Sequence, residues 1–504
     1  MAVTQALRAQ VTLVGIGILV VVLGMSSCGG GSSSTSHLPV TNPVPSLISF
    51  SPFNASAGDA GFSLTLTGLG FSPDATVKWD GDALATTFVS SNQLTAQVTA
   101  SDIATAGIAQ ITVSNPAPGG GVSNVFRFGV NPTSPTANFL YAANSGIHNL
   151  YPSTISGYSI DPNSGALTAL AGSPFTPSPY ASGTNPGPMG MDRLGKFLYV
   201  ANAPTPNTNP SCQSCTTFDG FTPNSAGDLA PLAGSPLFTA VPNVFVGDPT
   251  GNILYESGGP GASQGSDIVT MLIDANTGAL TPIADSPGFG VFIAVALNPT
   301  GTFLYGAGNP NISSSPGGIW TGSISLTTGA VAPVATPTTQ GGLGVTALAV
   351  HPSSKFLFAV DLSSATLFSY AIDPSSGALT LLNSIVYDFF PASLSDVVVH
   401  PSGKFLYVTN WGVATVLGFS IDGNGNLTPV PGSPFSSWGF NPSVLATDPA
   451  GKFLYVANSG TSGLPPYDGV VAGFTVDPNS GALTPIAGSP FPAAGSPGSI
   501  VIAP

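Results

Sequence analysis

Residues 448–460 read DPAGKFLYVANSG, and closely similar stretches occur at six other places in the chain. Successive copies are 48 to 58 residues apart, and their Phe-Leu-Tyr cores begin at these positions: Phe139, Phe197, Ile253, Phe303, Phe356, Phe405 and Phe453. Sister copies replace Asp448 by Asn or His, and Lys452 by Thr or Asn. A catalytic group is not expected to vary in this way within one set of repeats. We therefore interpret the stretch as a turn and a buried strand that the chain uses seven times.

Each repeat also carries a second signature, of which NSGALTPI at residues 479–486 is an example. With the apolar runs around it, every unit holds four short strands, and four-stranded units of this length are the blades of a β-propeller. The first unit lacks its opening strand, and the chain ends in an unused strand of matching character, SIVIAP at residues 499–504. We predict that this last strand completes the first blade, which removes the unpaired sheet edges that an open array would expose.

The sequence motifs of the repeats resemble those of a known family. LYVTN at residues 406–410 and the SGALTP turns are similar to the YVTN-type and lactonase-type seven-bladed propellers, the group that includes 6-phosphogluconolactonase. The resemblance covers residues 138–504 and implies a seven-bladed β-propeller. For activity, it implies at most a lactone hydrolase.

Residues 45–130 have a different pattern, with seven short strands of alternating polarity that predict an immunoglobulin-like β-sandwich. The segments ISFSP, LTLTGLGF, VKWDG, ITVSN and SNVFRF, with Gly68, Gly70 and Phe71 in the second of them, resemble the IPT/TIG family. The resemblance implies a spacer or adhesive module of a secreted bacterial protein. We interpret Trp79, Asp80 and Asp82 as a hairpin turn beside a packed tryptophan and assign them no chemistry.

The composition agrees with an all-β chain. Only 6% of residues are charged, while 63 glycines and 49 prolines interrupt the sequence too often for long helices. The formal net charge of −14 offers no basic surface to a phosphate backbone, so nucleic acid is not an expected partner.

The N-terminus predicts export. Arg8 precedes a largely apolar run over residues 11–25, and Ser26-Ser27-Cys28 resembles a bacterial lipobox in which Cys28 becomes the lipidated first residue. Ordinary signal cleavage is the alternative. We predict a lipoprotein signal peptide over residues 1–27, a flexible tether over 28–44, the sandwich over 45–130 and the propeller over 138–504. The protein would then be exported and anchored to a membrane, facing the periplasm or the cell surface.

The chemistry of the propeller is expected on one face. Connections between the second and third strands, and between the fourth strand and the next blade, vary in length, and such loops on a rigid scaffold usually hold binding groups. Our candidate ligand-binding residues on this face are Tyr151, Asp361, Tyr387, Asp388, Trp411, Trp438, Tyr467 and Asp468. The expected ligand is a carbohydrate, a peptide or a protein partner.

The basic residues argue against a phosphorylated substrate. All five Lys and Arg residues of the propeller fall in the turns between first and second strands: Arg193, Lys196, Lys355, Lys404 and Lys452. The variable face therefore has no cationic clamp for a phosphate. His351 and His400 occupy the turn position of Asp448 and are predicted to be turn residues.

Two other functions remain open. An exported hydrolase acting on an uncharged lactone would need a general base, for which His148 and Glu256 are the best candidates, and a purely structural surface protein would need none.

We predict a small disulfide loop between Cys212 and Cys215. No cofactor is expected, although the acidic face could attract a divalent cation despite the absence of a D-x-D-x-D run.

Overall fold

The computed structural model describes most of the two predicted β domains. The described residues are 41–52, 54–131, 138–145, 154–176, 185–192, 194–203, 217–235, 237–238, 242–248, 253–258, 268–289, 292–308, 318–325, 328–334, 344–387, 393–460 and 469–503. Across these ranges no helix combines the length and hydropathy needed to cross a membrane.

The first ten strands form a sandwich. They are β1 Ser46–Ser51, β2 Asn54–Ser56, β3 Phe62–Leu69, β4 Thr76–Trp79, β5 Asp82–Ala83, β6 Ala85–Ser90, β7 Gln93–Val98, β8 Gly107–Asn115, β9 Gly121–Val122 and β10 Phe126–Asn131. One sheet has the order β1-β3-β7-β6 and the other the order β2-β10-β8-β4-β5, with β9 paired to β8. Trp79 is buried, with its ring centroid 5.0 Å from that of Phe128, and Asp80 and Gly81 form the β4–β5 turn. The predicted hairpin with a packed tryptophan is confirmed.

The propeller begins at β11, and its blades follow one another along the chain. Blade one has β11 Asn138–Ser145, β12 Thr154–Ile160 and β13 Leu167–Ala169. Blade two has β14 Asn185–Met191, β15 Leu198–Ala203, β16 Thr217–Pro223, β17 Leu229–Pro231 and β18 Leu237–Phe238. Blade three has β19 Pro242–Gly247, β20 Ile253–Gly258, β21 Ile268–Ile273 and β22 Leu280–Ser286. Blade four has β23 Phe292–Leu297, β24 Phe303–Gly308, β25 Gly318–Ile324 and β26 Val331–Pro333.

The remaining blades carry the same four-strand order. Blade five has β27 Val345–Val350, β28 Phe356–Asp361, β29 Thr366–Ile372 and β30 Leu379–Val386. Blade six has β31 Leu394–Val399, β32 Phe405–Asn410, a 3-10 turn Trp411–Val413, β33 Thr415–Ile421, β34 Leu427–Pro429 and β35 Phe435–Ser436. Blade seven has β36 Pro442–Thr447, β37 Phe453–Asn458, β38 Val470–Val476, β39 Leu483–Pro485 and β40 Phe491–Pro492.

The last strand, β41 Ser496–Ala503, closes the ring. It pairs antiparallel with β11 of blade one, with Phe139 opposite Ala503 and Ala142 opposite Ile500. The innermost strands contact one another in sequence around the axis, from β14 through β19, β23, β27, β31 and β36 to β41 and back to β14. The predicted seven-bladed propeller and its closure by the C-terminal strand are confirmed.

The repeated Phe-Leu-Tyr core joins each blade to the next. Its apolar side chains fill the spaces between adjacent blades, and most of its tyrosines bond to a turn of the following blade. The two histidines also act in this scaffold, since Nε2 of His351 lies 2.8 Å from the carbonyl oxygen of Gly403 and Nε2 of His400 lies 2.6 Å from that of Gly451. Their prediction as turn residues is confirmed.

Candidate functional site

The variable-loop face contains the connections between second and third strands and between consecutive blades. Several predicted residues of this face fall outside the described ranges: His148, Tyr151, Cys212, Cys215, Asp388, Tyr467 and Asp468. Cys28, the predicted lipidation site, lies outside them as well. The site can therefore be built from Asp361, Tyr387, Trp411, Trp438 and Glu256, together with the residues that surround them.

Two of the predicted residues lie on neighbouring loops of blade six that hydrogen bonds between Ser437 and Ala414 connect. Trp411 lies in the 3-10 turn after β32 and is 46% exposed, while Trp438 lies in the loop before β36 and is 52% exposed. Val413, on the loop of Trp411, and Phe440, on the loop of Trp438, are exposed as well. We call these four side chains the aromatic patch. Large apolar side chains that stay exposed together on a soluble domain mark binding surfaces.

A hydrogen-bonded link holds the two loops of the aromatic patch together. The amide of Ser437 donates to the carbonyl of Ala414 at 3.0 Å, and the buried Ser437 hydroxyl lies 2.9 Å from the same oxygen. On the other side of the loop, the Asn441 amide group donates to the carbonyl of Gly460 at 2.7 Å. The loop that carries Trp438 and Phe440 is thus fixed at both ends.

Trp438 has an unusual backbone conformation. Its φ angle is 54°, in the left-handed region that costs an L-residue with a side chain on the order of 1–2 kcal/mol. No burial repays this cost, because the side chain is exposed. Strain that a structure maintains at an exposed aromatic residue points to a functional role.

Asp361 and Tyr387 are placed differently from the two tryptophans. Asp361 ends β28 and is buried, and its carboxylate accepts hydrogen bonds from the amides of Gly344 and Ser364, both at 2.9 Å. Asn410, at the same position of blade six, accepts a hydrogen bond from the amide of Ser393. Both side chains therefore bond the end of a second strand to the residue that precedes the first strand of its blade. Tyr387 is partly buried beside blade five, and this burial raises its pKa to about 12. Ligand binding by these two residues stays a prediction.

Glu256 lies inside β20, so its predicted position in a loop is wrong. The side chain is 2% exposed, pairs with Phe245 and Val269 across the sheet, and has no hydrogen-bond partner for Oε2 among the described residues. Burial raises its pKa to about 8. A carboxyl group that keeps its proton at neutral pH is a poor general base there, so the geometry does not favour this half of the predicted catalytic pair.

A carboxylate that the sequence analysis did not single out lies at the propeller axis. Asp396 is the third residue of the inner strand β31, and its oxygens accept hydrogen bonds from the amides of Val397 at 2.9 Å and Leu445 at 2.8 Å. Leu445 belongs to β36, the inner strand of the next blade, so this contact spans the axis-facing edges of two blades. The residue as a whole is partly exposed, and the burial of its carboxyl raises the pKa to about 6.

The internal repeat contains the signal that would have identified Asp396. Strand pairing places these residues at the same position of the other six blades: Pro188, Val244, Ala294, Ala347, Val444 and Ser499. Asp396 is therefore the one ionisable side chain in the seven described inner strands. Alignment of the seven first strands shows an acid in blade six where the other blades have apolar residues or serine.

The described bases lie away from this region. Lys196, Lys355, Lys404 and Lys452 are exposed in the turns between first and second strands, as predicted. Among the residues that the structure describes, no three His, Cys, Asp or Glu side chains are grouped so that they could hold a metal ion. The divalent cation stays a prediction without a described site.

Comparisons with known families agree with both domains. Residues 45–128 match the family model of the IPT/TIG domain, and residues 312–429 and 390–502 match that of the lactonase seven-bladed β-propeller. The family resemblances predicted from the sequence are confirmed. The comparison with curated proteins finds no match.

Solved structures show the same propeller fold. A putative 6-phosphogluconolactonase from Bacteroides fragilis aligns with a TM-score of 0.53 and 19% identity, over 74% of this chain and 99% of its own. Another from Bacteroides uniformis gives 0.56 and 16%, over 73% and 100%. The periplasmic gluconolactonase of Pseudomonas aeruginosa gives 0.54 and 16%, over 73% and 99%. At these identities the likeness shows the fold and carries no activity over to this chain.

Proposed function

We propose that this protein is a cell-envelope lipoprotein whose propeller binds a carbohydrate through the aromatic patch. One observation carries the proposal: two tryptophans stay exposed on separate loops that hydrogen bonds connect, and one of them has a strained backbone. An indole ring presents an apolar face together with a polar N–H. A sugar ring presents a matching apolar C–H face with hydroxyl groups at its edge.

The size of the aromatic patch favours a small ligand over a protein partner. A stable protein interface uses roughly 20–30 residues on each side. The patch has four side chains on two short loops in the described part of the variable-loop face. Tryptophan supplies a large contact area at a low entropic cost, which suits recognition of one or two sugar units.

Glycan-array screening of the purified chain, followed by calorimetric titration of the best ligand, tests this function. Trp438→Ala and Trp411→Ala are each expected to weaken binding at least about tenfold, the loss of about 1.4 kcal/mol of contact energy. Leu362→Ala is the matched control, because Leu362 follows β28 as Trp411 follows β32 and is 41% exposed. Binding that survives both tryptophan changes, or that Leu362→Ala also removes, would contradict the proposal.

Export and lipid anchoring are supported by the apolar leader and the Ser26-Ser27-Cys28 sequence. The tether and the IPT/TIG-like sandwich would then hold the propeller away from the membrane. Metabolic labelling with a fatty-acid analogue is expected to mark the full chain, and Cys28→Ala is expected to abolish the label. A labelled Cys28→Ala protein would show that the anchor is elsewhere.

Hydrolysis of an uncharged lactone is the second candidate, and Asp396 is the observation that favours it. Its pKa of about 6 leaves it mostly ionised at neutral pH, and it has partial access to solvent, as a water-activating base requires. Turnover of neutral lactones that Asp396→Asn abolishes would support this function. Absence of turnover across a lactone panel would leave carbohydrate binding as the function of the face.

A further inference from the structure

We infer that the ligand carries a positive charge, and that Asp396 binds the ammonium group of an amino sugar whose ring stacks on the aromatic patch. This inference rests on the proposed carbohydrate binding and adds the charge of the ligand to it. The proposal combines three observations, namely the position of Asp396 next to the patch, the distribution of charge over the propeller and the unused acceptor capacity of the carboxylate.

Asp396 and the aromatic patch share one part of blade six. The amide of Trp411 donates to the carbonyl of Ser393 at 2.7 Å, and Ser393 directly precedes the strand that holds Asp396. Farther along the strand, the Asp396 amide donates to the hydroxyl of Thr409 at 2.9 Å. At about 3.3 Å per strand residue, Asp396 lies roughly 7–10 Å along the strand from Ser393, the residue that the Trp411 amide contacts. An oligosaccharide bound to the patch can thus reach the carboxylate.

The seventh blade contributes the other wall of this region. The Ser395 hydroxyl donates to the carbonyl of Pro442 at 2.9 Å, and Pro442 begins the strand that follows the Trp438 loop. The Leu445 amide of the same strand donates to Asp396. The loop of Trp438 therefore leads directly into the strand that contacts the carboxylate.

The charges of the propeller favour a cation at this place. The sequence assigns every Lys and Arg of residues 138–504 to a turn between a first and a second strand and none to a connection of the variable-loop face, and the four described lysines are exposed in those turns. A half-buried carboxylate without a basic neighbour gains most from a ligand that brings its own positive charge.

The carboxylate of Asp396 has acceptor sites left for such a ligand. An ionised carboxylate offers about four lone-pair sites, and the amides of Val397 and Leu445 occupy one on each oxygen. An ammonium group has three donors and forms short, charge-assisted hydrogen bonds with a carboxylate. The two existing bonds also hold the carboxylate in place before a ligand arrives.

Calorimetric titration with two matched probes near neutral pH tests the inference on the full chain. The probes are a glucosamine tetrasaccharide and its fully N-acetylated counterpart, which has the same rings without the charge. The wild type is expected to bind the glucosamine form about tenfold more tightly, and added salt is expected to weaken that form alone. Asp396→Asn, and Asp396→Ala after the residue of blades four and five, are expected to bind both probes equally.

Asp285→Asn is the control for net charge, because Asp285 is an exposed acid on the outer strand β22, and it should keep the preference. A melting curve of each variant shows whether it is folded. Equal binding of the two probes to the wild type overturns the inference and leaves carbohydrate binding intact. A preference that persists in both folded Asp396 variants also overturns it. If neither probe binds while a screen finds another neutral glycan, the inference fails alone, and if no glycan binds, both proposals fail.

Discussion

The hydroxyl of Tyr455 in blade seven donates a 2.7 Å hydrogen bond to the carbonyl of Gly165 in blade one, 290 residues away in the sequence. The same bond joins four other pairs of neighbouring blades: Tyr141 to Gly227, Tyr199 to Gly278, Tyr305 to Gly377 and Tyr407 to Gly481. The tyrosine of the repeated core thus links five of the blades to the next blade by a hydrogen bond. At Tyr455 it closes the ring beside the strand pairing of β11 and β41.

Removal of this closing bond is expected to destabilise the ring modestly. Tyr455→Phe leaves the buried Gly165 carbonyl without its partner, which costs about 1 kcal/mol and lowers the melting temperature of a domain of this size by roughly 1–2 °C. The fold should persist, since blade five has Phe358 at the equivalent position. Thermal and urea denaturation measure the effect, and an unchanged midpoint in both would show that the bond contributes nothing to closure.

Gly481 is expected to tolerate no side chain. Its φ angle is 73°, and a Cβ atom there would lie 2.5 Å from Cδ1 of Phe405 in the preceding blade. Gly481→Ala combines a left-handed backbone with overpacking and should cost about 2–4 kcal/mol. Gly423→Ala is the matched control, since that glycine has neither a positive φ angle nor an atom within 4 Å of an added Cβ. Equal melting temperatures for the two variants would contradict this account.

Glu256 is expected to make the stability of the propeller depend on pH. Its pKa rises from 4.5 to about 8 on folding because the carboxyl is buried. The folded state therefore holds the proton more tightly than the unfolded chain, so stability is highest below the unfolded pKa and falls as pH rises through the window up to about 8.

Glu256→Val, which copies the residue of blades two, six and seven, removes this dependence. Relative to the wild type, the variant should gain at least about 2 kcal/mol in alkaline buffer and much less in acid. Denaturant midpoints measured across the pH range check this, and Glu256→Gln reports the effect of charge at nearly constant shape. A stability difference that does not change with pH would rule out a buried, titrating Glu256.

Trp438 is expected to show a conflict between stability and function. Trp438→Gly relieves the left-handed strain and should leave the free energy of unfolding unchanged or raise it by about 1 kcal/mol, while carbohydrate binding is lost. Trp411→Ala should lose binding without the gain, because Trp411 has no positive φ angle. A clear destabilisation by Trp438→Gly would show that the indole supports the loop and would weaken its assignment to a ligand.

Local chemistry explains why so much of the fold could be predicted. The turns of each blade rely on Asp, Asn, Ser and Gly at set positions, and Asp477 shows the mechanism by accepting hydrogen bonds from the amides of Asn479 and Ser480. Those bonds also lower the pKa of its carboxyl. Such turns recur wherever their residues recur, so seven repeats predicted seven blades and the spare strand predicted closure.

The candidate site depended on contacts that no local pattern contains. The sequence predicts Trp411 and Trp438 separately as aromatic residues of loops. It does not predict that their loops are joined, because that depends on the hydrogen bond from the Ser437 amide to the Ala414 carbonyl. The sequence predicts Glu256 in a loop, whereas β20 continues through it to Gly258. Asp396 begins DVVVHP at residues 396–401, one of the apolar runs that the repeats predict as scaffold strands.

The sequence by itself determined the number of blades, their order, the closing strand and the separation of basic turns from variable loops, because each of these follows from short motifs and their spacing. Only the tertiary structure decided which acid is shielded between blades and which one lies at the axis. Burial and the pKa of a carboxyl depend on neighbours contributed by other strands and blades, as Leu445 is for Asp396. Those neighbours meet only after the blades have packed around the ring.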